Sequence, residues 1–106
     1  MKNDRVLSML GIAEKSRNVV SGEFSTDKAI KERKAALVIA GCDASDNTKK
    51  AFRDSCNYYK VPYYEYSTKE ELGHGMGKEL RAVLAVTDPG FAKSLMKLLD
   101  GNEVER

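Results

Sequence analysis

The chain has 106 residues, of which 42% are hydrophobic and 32% are charged, and its formal net charge is +2. This length allows one folded domain, and so small a net charge excludes a protein that binds polyanions through its overall field alone. The longest apolar run, residues 35–40, is too short to span a membrane, and residues 1–17 lack the apolar centre of a signal peptide. We therefore expect a single domain over residues 1–106, in a soluble, cytoplasmic protein.

The first half of the chain alternates between helical and extended patterns. The patterns predict, in order, a helix, a strand, a helix and a strand over about residues 4–16, 18–22, 23–33 and 35–41. Asn3 or Asp4 is available to cap the first helix. The last of these segments, AALVIAG, is an apolar run typical of a strand that is buried on both faces.

The second half continues the alternation. It predicts a helix, a strand, a short helix, a strand and a last helix over about residues 46–59, 61–66, 67–76, 82–88 and 89–99. Ser45 is the expected cap of the third helix, Ser67 and Glu70 form a capping box for the fourth, and Asp88 precedes a proline that opens the last. We expect residues 101–106 to be a frayed tail and helices to cover both faces of a small central sheet.

The segment ELGHGMGKEL, residues 71–80, carries three glycines followed by Lys78. A Walker-type phosphate loop needs GxxxxGK and then serine or threonine directly after a strand, but only three residues separate Gly73 from Gly77. The dinucleotide fingerprint GxGxxG also fails, because the third glycine comes one residue early. We interpret Gly73 and Gly77 as sharing one helical face that lets the backbone approach the sheet, with Gly77 ending the helix in a left-handed conformation. Residues 78–81 then form an exposed turn.

The cysteines and the histidine do not predict a metal or catalytic centre. Cys42, Cys56 and His74 are the only residues of these two types, and a metal site needs more ligands. We interpret the cysteines as reduced, mostly buried thiols and His74 as a solvated side chain. The tyrosines at positions 58, 59, 63, 64 and 66 leave open an aromatic platform for single strands, but Tyr64 and Tyr66 alternate on a predicted strand and are better explained as packing. No cofactor, metal or catalytic residue is expected.

Positive charge is concentrated in the first half of the chain. Residues 1–60 carry twelve basic and eight acidic groups, whereas residues 61–106 carry six and eight. The densest basic segment, KAIKERK over residues 28–34, has four positive groups and one negative group. Most such segments are solvated helix faces, so the charge by itself is a weak indication of nucleic-acid binding.

Two long segments resemble the kink-turn RNA-binding ribosomal protein family. They are SGEFSTDKAIKERKAALVIAGCDAS, residues 21–45, and NYYKVPYYEYSTKEELGHGMGKELRAVLAVTD, residues 57–88. The similarity covers about residues 5–99, and VVSGE, NYYKVPY and AVTDPGFA point to the small bacterial YlxQ-type members. The resemblance implies a three-layer α/β/α sandwich with a small mixed sheet of about four strands.

The resemblance also implies that the chain binds RNA at two places, namely the turn that opens the second helix and the loop before the fourth strand. Carried onto this sequence, the implied RNA-binding residues are Gly22, Glu23, Phe24, Ser25, Lys28, Lys31, Lys78, Glu79, Leu80 and Arg81. The implied partner is structured RNA of kinked or bulged shape, including ribosomal RNA. The implied protein is a non-enzymatic monomer associated with the ribosome or another ribonucleoprotein.

The sequence departs from the family pattern at two positions. Archaeal members place an asparagine and a glutamate, which read guanine edges, where Phe24 and Ser25 stand here. Phe24 has no side-chain hydrogen-bond donor and Ser25 is short, so base-specific reading is weakened. Two interpretations of Phe24 stay open: a staple that packs the helix start on the sheet, and a ring that stacks on a base.

Two other functions stay open beside RNA binding. Because Phe24 and Ser25 stand where other members have side chains that hydrogen-bond bases, the start of the second helix is more apolar here. This would suit a protein–protein interaction module on the same fold. Asp43 and Asp88 follow predicted strands, where open α/β sheets place acidic residues, and this would suit a small phosphate-transfer or magnesium enzyme. Asp88 is better explained as a helix cap and Asp43 as a solvated loop residue, so a non-enzymatic RNA-binding protein is the leading interpretation.

Overall fold

The computed structural model describes residues 4–101. The helices are α1 (Arg5–Lys15), α2 (Glu23–Lys31), α3 (Asp46–Tyr59), α4 (Lys69–Gly75) and α5 (Pro89–Gly101). The strands are β1 (Val19–Ser21), β2 (Leu37–Ala40), β3 (Tyr63–Glu65) and β4 (Val83–Val86). All nine predicted elements are present, although the strands are shorter than predicted. Helix α5 includes Gly101, which was predicted to be frayed; the rest of the predicted tail, residues 102–106, and the alternative cap Asn3 lie outside the described residues.

The four strands form one mixed sheet in the order β1-β4-β2-β3. Strand β4 lies antiparallel to both β1 and β2, and β2 lies parallel to β3. The register places Ser21 opposite Leu84 and Ala40 opposite Val83. Strands β1 and β2 therefore end at the edge where β4 begins, which brings together the segment after β1 and the segment before β4.

Every residue of β2 and β4 is buried, because helices cover both faces of the sheet. One face packs against α1, α4 and α5 through Leu37, Ile39, Leu84 and Val86. The opposite face packs against α2 and α3 through Val38, Ala40, Val83 and Ala85. The alternation follows from the two-residue repeat of a strand. The fold is thus a three-layer α/β/α sandwich with a mixed four-stranded sheet, as predicted.

Side chains cap four of the five helices within residues 4–101. The capping oxygens belong to Asp4, Ser45, Thr68 and Asp88, and they accept backbone N–H groups at 3.0, 3.1, 3.1 and 2.8 Å. The prediction of Ser67 as the cap of α4 was wrong by one residue. Ser67 has a left-handed backbone with φ +61°, and its hydroxyl donates to Glu71 at 2.7 Å. An N-cap residue has an extended backbone, as Thr68 does with φ −119° and ψ 162°, so Thr68 and not Ser67 caps α4.

Gly73 lies against the loop that follows α4 and not against the sheet, so that part of the prediction was wrong. A Cβ on Gly73 would overlap the carbonyl oxygen of Glu79, so this close approach is possible only because residue 73 is a glycine. Helix α4 ends at Gly75, so Gly77 lies outside it and shares no helical face with Gly73. Gly77 has φ +74°, the left-handed conformation that was predicted for it.

The two cysteines differ in environment. Cys56 is buried, as predicted, and burial raises the pKa of its thiol to about 11. Cys42 is exposed, which contradicts its prediction, because it lies in the loop after β2 and not in an element of the core. His74 is exposed, as predicted.

Tyr64 and Tyr66 pack at the sheet edge and not on an open platform. Both are partly buried against the core that includes α1 and α5. The Tyr64 hydroxyl donates to Asp100 at 2.7 Å, and the Tyr66 hydroxyl donates to Asp4 at 2.8 Å. Burial, together with that hydrogen bond, raises the pKa of Tyr66 to about 12. The packing interpretation of these two tyrosines is confirmed.

Asp43 and Asp88 both accept backbone hydrogen bonds, from Lys69 and Phe91 respectively, each at 2.8 Å. In the part of the chain that the structure describes, no three or more His, Cys, Asp or Glu side chains are grouped to hold a metal ion. Among the helices of residues 4–101, none combines the length and the apolar character that crossing a bilayer requires.

Candidate nucleic-acid interface

Helix α2 begins without a capping side chain. Gly22 stands at the N-cap with φ +92° and ψ 159°, a conformation that residues with a side chain rarely adopt. Its N–H donates to the carbonyl oxygen of Val83 at 2.9 Å, which holds the turn against the start of β4. The first N–H groups of α2 therefore receive no side-chain oxygen, and they carry the partial positive charge of a helix amino terminus.

Phe24 is the most exposed large apolar residue of this first turn. Its relative accessibility is 80%, so the staple interpretation, which required packing on the sheet, was wrong. Ser25 is half-buried and Glu23 is exposed. The Glu23 carboxylate accepts a hydrogen bond from the Thr48 hydroxyl at 3.1 Å, which links the start of α2 to the first turn of α3.

Lys28 and Lys31 each form an ion pair along α2. Lys28 Nζ lies 3.0 Å from Glu32 and Lys31 Nζ lies 3.1 Å from Asp27, and both lysine side chains are 59% exposed. The hydrogen bond from Lys28 lowers the pKa of the Glu32 carboxyl group. Because such exposed pairs contribute little to stability, a phosphate can replace the carboxylate partner of Lys28 at small cost.

Residues 78–81 form the predicted exposed turn, and one end of it lies beside the start of α2. Arg81 Nε donates to the Ser21 hydroxyl at 2.9 Å, and Arg81 Nη1 donates to the Leu80 carbonyl oxygen at 2.9 Å. Leu80 itself is 59% exposed. Arg81 therefore joins the two predicted binding segments, and Leu80 lies at their junction.

The structure brings most, but not all, of the predicted residues together. The Arg81–Ser21 and Gly22–Val83 hydrogen bonds hold the segment after β1 beside the segment before β4, and we call residues 21–25, 28, 80 and 81 the rim. Lys31 is the last residue of α2 and lies about 12 Å along the helix axis from Glu23. Lys78 Nζ lies 3.4 Å from Glu14 of α1, and the exposed Glu79 packs its carbonyl group on α4. Lys31, Lys78 and Glu79 therefore lie outside the rim.

Two contacts that build the rim had no signal in the sequence. Glu23 and Thr48 are 25 positions apart, and Ser21 and Arg81 are 60 positions apart. The first contact requires α3 to begin beside α2, and the second requires β1 to pair with β4. Both depend on the strand order, which no local pattern encodes.

Comparison with known proteins gives matches over nearly the whole chain. A family model described as the ribosomal protein L7Ae/L30e/S12e/Gadd45 family matches residues 4–96. The chain is 51% identical over 92 residues to the RNA-binding protein YlxQ of Bacillus subtilis (strain 168), covering 87% of this chain and 92% of that protein. It is 35% identical over 97 residues to the RNA-binding protein YlxQ of Enterococcus faecium, covering 92% of this chain and 93% of that protein.

Two solved structures share the architecture. A protein of unknown function from Bacillus halodurans C has a TM-score of 0.91 at 35% identity, covering 93% of this chain and 100% of that chain. The Giardia lamblia 15.5kD RNA binding protein has a TM-score of 0.77 at 18% identity, covering 94% of this chain and 92% of that chain, and shows the fold alone. Because the family model and both curated relatives align with most of the chain, it belongs to the ribosomal protein L7Ae/L30e/S12e/Gadd45 family, as a bacterial YlxQ-type member.

Proposed function

We propose that this chain is a non-enzymatic RNA-binding protein that recognises kinked or bulged RNA through the rim. The observation that carries the proposal is the uncapped amino end of α2. Arg81, which follows the exposed Leu80 in the chain, donates a hydrogen bond to Ser21 just before this helix end. Two relatives named RNA-binding protein support the RNA part of the proposal.

The amino end of α2 suits a sharply bent phosphate backbone. Its free N–H groups and the helix dipole attract an anion, and Gly22 keeps the approach open because it has no side chain. Lys28 lies one turn further along the helix, where its ammonium group can donate to a phosphate or to the acceptor edge of a guanine.

Phe24 and Leu80 give the rim an apolar component. Both are largely exposed, and bases that leave the stack at a kink or bulge can pack on such side chains. Phe24 cannot hydrogen-bond a base edge and Ser25 is half-buried, so the rim reads the shape of the RNA more than its sequence.

The direct test compares a duplex that contains a kink-forming internal loop with a fully paired duplex of equal length. We expect the kinked RNA to bind at least about ten-fold more tightly, which corresponds to about 1.4 kcal/mol, by fluorescence anisotropy over a series of salt concentrations. Equal affinities with the same steep salt dependence would indicate nonspecific attraction to phosphate and would contradict the proposal.

We further propose that the whole chain acts as one domain and as a monomer, in the cytoplasm and in association with the ribosome or another ribonucleoprotein. Light scattering after size exclusion tests the monomer, and sedimentation of cell extracts with and without RNase tests the association. A dimer mass, or sedimentation that RNase leaves unchanged, would contradict these statements.

A protein–protein interaction module is the second candidate function. The exposure of Phe24, at 80%, and of Leu80, at 59%, favours it, because large exposed apolar side chains also suit a protein partner. A pull-down before and after nuclease treatment distinguishes the two functions. Partners that survive nuclease and disappear in Phe24→Ala would support the module, and loss of all partners after nuclease would exclude it.

A further inference from the structure

A second exposed cluster lies at the opposite ends of α2 and α3. Tyr58 is 76% exposed, and its ring centroid lies 4.9 Å from that of Tyr59 in an edge-to-face arrangement. The guanidinium carbon of Arg33 lies 5.2 Å from the centroid of the Tyr59 ring, within the range of a cation–π contact. Lys60 follows directly in the chain and is exposed. We call Arg33, Tyr58, Tyr59 and Lys60 the tyrosine–arginine cluster.

The cluster and the rim lie at the two ends of the same pair of helices. Helix α2 follows β1 and α3 follows β2, and the Glu23–Thr48 hydrogen bond joins their amino ends. The Arg33–Tyr59 contact joins the ends at which both helices finish. The nine residues of α2 span about 14 Å, so the cluster lies about one helix length from the amino end of α2, close enough for one RNA molecule to reach both.

The cluster is anchored on the core at one side and open at the other. Tyr59 is half-buried and packs against the α2–α3 core, which holds its ring in place under Arg33. Tyr58 contributes little to that core, because three quarters of its surface is accessible. An exposed aromatic ring on a rigid support is the kind of surface on which an unpaired base stacks.

The carbonyl groups at the carboxyl ends of α2 and α3 repel an anion only weakly. Arg33 and Lys60 have left-handed backbones, with φ +61° and φ +62°, and thereby end the two helices. Carbonyl groups of the last turns accept N–H groups from the residues that follow, for example Lys34 N–H to Ala29 at 2.8 Å and Val61 N–H to Cys56 at 2.9 Å. Their partial negative charge is thus partly engaged within the protein.

The positive charges of the cluster are available to a ligand. Within residues 4–101, neither Arg33 nor Lys60 forms an ion pair with an acidic side chain. The neighbouring acid Glu32 is shared by Lys28 and Lys34, at 3.0 and 3.5 Å. Free cations beside a stacking ring are complementary to single-stranded nucleic acid, which presents phosphates and unpaired bases together.

We infer that the tyrosine–arginine cluster is a second RNA-contact surface, which stacks unpaired bases of single-stranded RNA on Tyr58 and holds their phosphates with Arg33 and Lys60. The inference rests on the proposed function in one respect: the single strand belongs to the same RNA molecule that binds at the rim. It adds to kink recognition a preference for RNA with unpaired nucleotides near the kink.

The test uses two labelled RNAs in anisotropy titrations of the full chain: a single-stranded octamer that cannot pair with itself, and a blunt-ended kinked duplex. We expect Tyr58→Ala to weaken octamer binding about five-fold or more, Arg33→Gln to weaken it less, and Tyr58→Phe to retain it. Ile12→Ala removes an apolar side chain that is 59% exposed on α1, outside the cluster, and is the matched control. Unchanged melting curves exclude a purely structural effect.

The two RNAs separate this inference from the proposed function. Tyr58→Ala should leave the blunt duplex unaffected, and Lys28→Ala should weaken the duplex and not the octamer. If the protein binds the kinked duplex no more tightly than fully paired RNA, but its affinity for the octamer still falls in Tyr58→Ala, the proposed function fails and the inference stands. Octamer binding that is absent, or equal in Tyr58→Ala and Ile12→Ala, would overturn the inference. A protein captured after nuclease treatment through Tyr58, with octamer binding unchanged, would also overturn it and assign the cluster to a protein partner.

Discussion

Helices α2 and α3 begin at the same end of the sheet, but their first turns are built differently. In α3, the Ser45 hydroxyl accepts the N–H of Thr48 at 3.1 Å and donates to the Thr48 hydroxyl at 3.0 Å. In α2, Gly22 occupies the corresponding position and supplies no side-chain oxygen. The hydrogen bond from Thr48 to Glu23 shows that the two turns are direct neighbours.

The difference separates a helix end that serves the fold from one that is open to a ligand. A serine cap contributes about 1 kcal/mol to stability, and α3 has that contribution while α2 lacks it. The glycine at α2 provides a backbone conformation and an open approach instead. Among the five helices within residues 4–101, the one without a side-chain cap is also the one that follows Ser21, the residue whose hydroxyl accepts a hydrogen bond from Arg81.

The largest effect is expected in the turn of residues 78–81, which packs on α4 and contacts Ser21 through Arg81. Gly73→Ala places a Cβ on the carbonyl oxygen of Glu79 and should lower the free energy of unfolding by about 3 kcal/mol, measured by urea denaturation. Gly75→Ala is the control in the same helix, because its Cβ would lie 3.4 Å from the Leu7 carbonyl oxygen, an ordinary contact. Equal stabilities of the two variants would mean that residues 78–81 do not pack on α4 as described.

Lys28→Ala tests the open end of α2 itself. We expect affinity for kinked RNA to fall by about 1–3 kcal/mol, because one charged contact is lost, while the melting temperature stays near that of the wild type. Lys50→Ala is the matched control: the Lys50–Asp54 pair on α3 has the same spacing as the Lys28–Glu32 pair and a similar length, 2.9 against 3.0 Å. The proposed interface is wrong if both variants bind RNA alike.

Ser45→Ala tests the closed end and has the smallest expected effect. Loss of the cap should lower the free energy of unfolding by about 1 kcal/mol, again by urea denaturation. RNA affinity should stay within about two-fold of the wild type, because the start of α3 carries none of the residues that we propose to contact RNA. A fall in affinity as large as that of Lys28→Ala would place the start of α3 in the interface.

Much of the fold was predictable because its signals are local. The apolar run of residues 35–41 predicted a strand buried on both faces, and every residue of β2 is buried. Asp4, Ser45 and Asp88 were recognised as caps because each precedes a helical pattern and carries a side-chain oxygen. Burial pattern and capping both depend on neighbours within a few positions, so a single sequence displays them.

The errors arose where a side chain had two possible neighbours. Ser67 and Thr68 are adjacent hydroxyl residues, and only the backbone conformation at Ser67 decides which of them caps α4. Gly73 was assigned to the sheet because the loop that returns over it could not be placed in advance. Phe24 was left open between a staple and a stacking ring, and only the direction of the first turn of α2 shows that the ring is exposed.

Nine elements, their order, the covering of both sheet faces by helices and most of the helix caps are visible in the amino-acid sequence, because each depends on short-range periodicity or on an adjacent side chain. That β1 and β2 flank β4, and therefore that Ser21 meets Arg81 and Arg33 meets Tyr59, emerges only in the folded chain. The pairing of strands far apart in the chain is set by how the whole hydrophobic core closes, so the surfaces that it creates become visible only when the chain is folded.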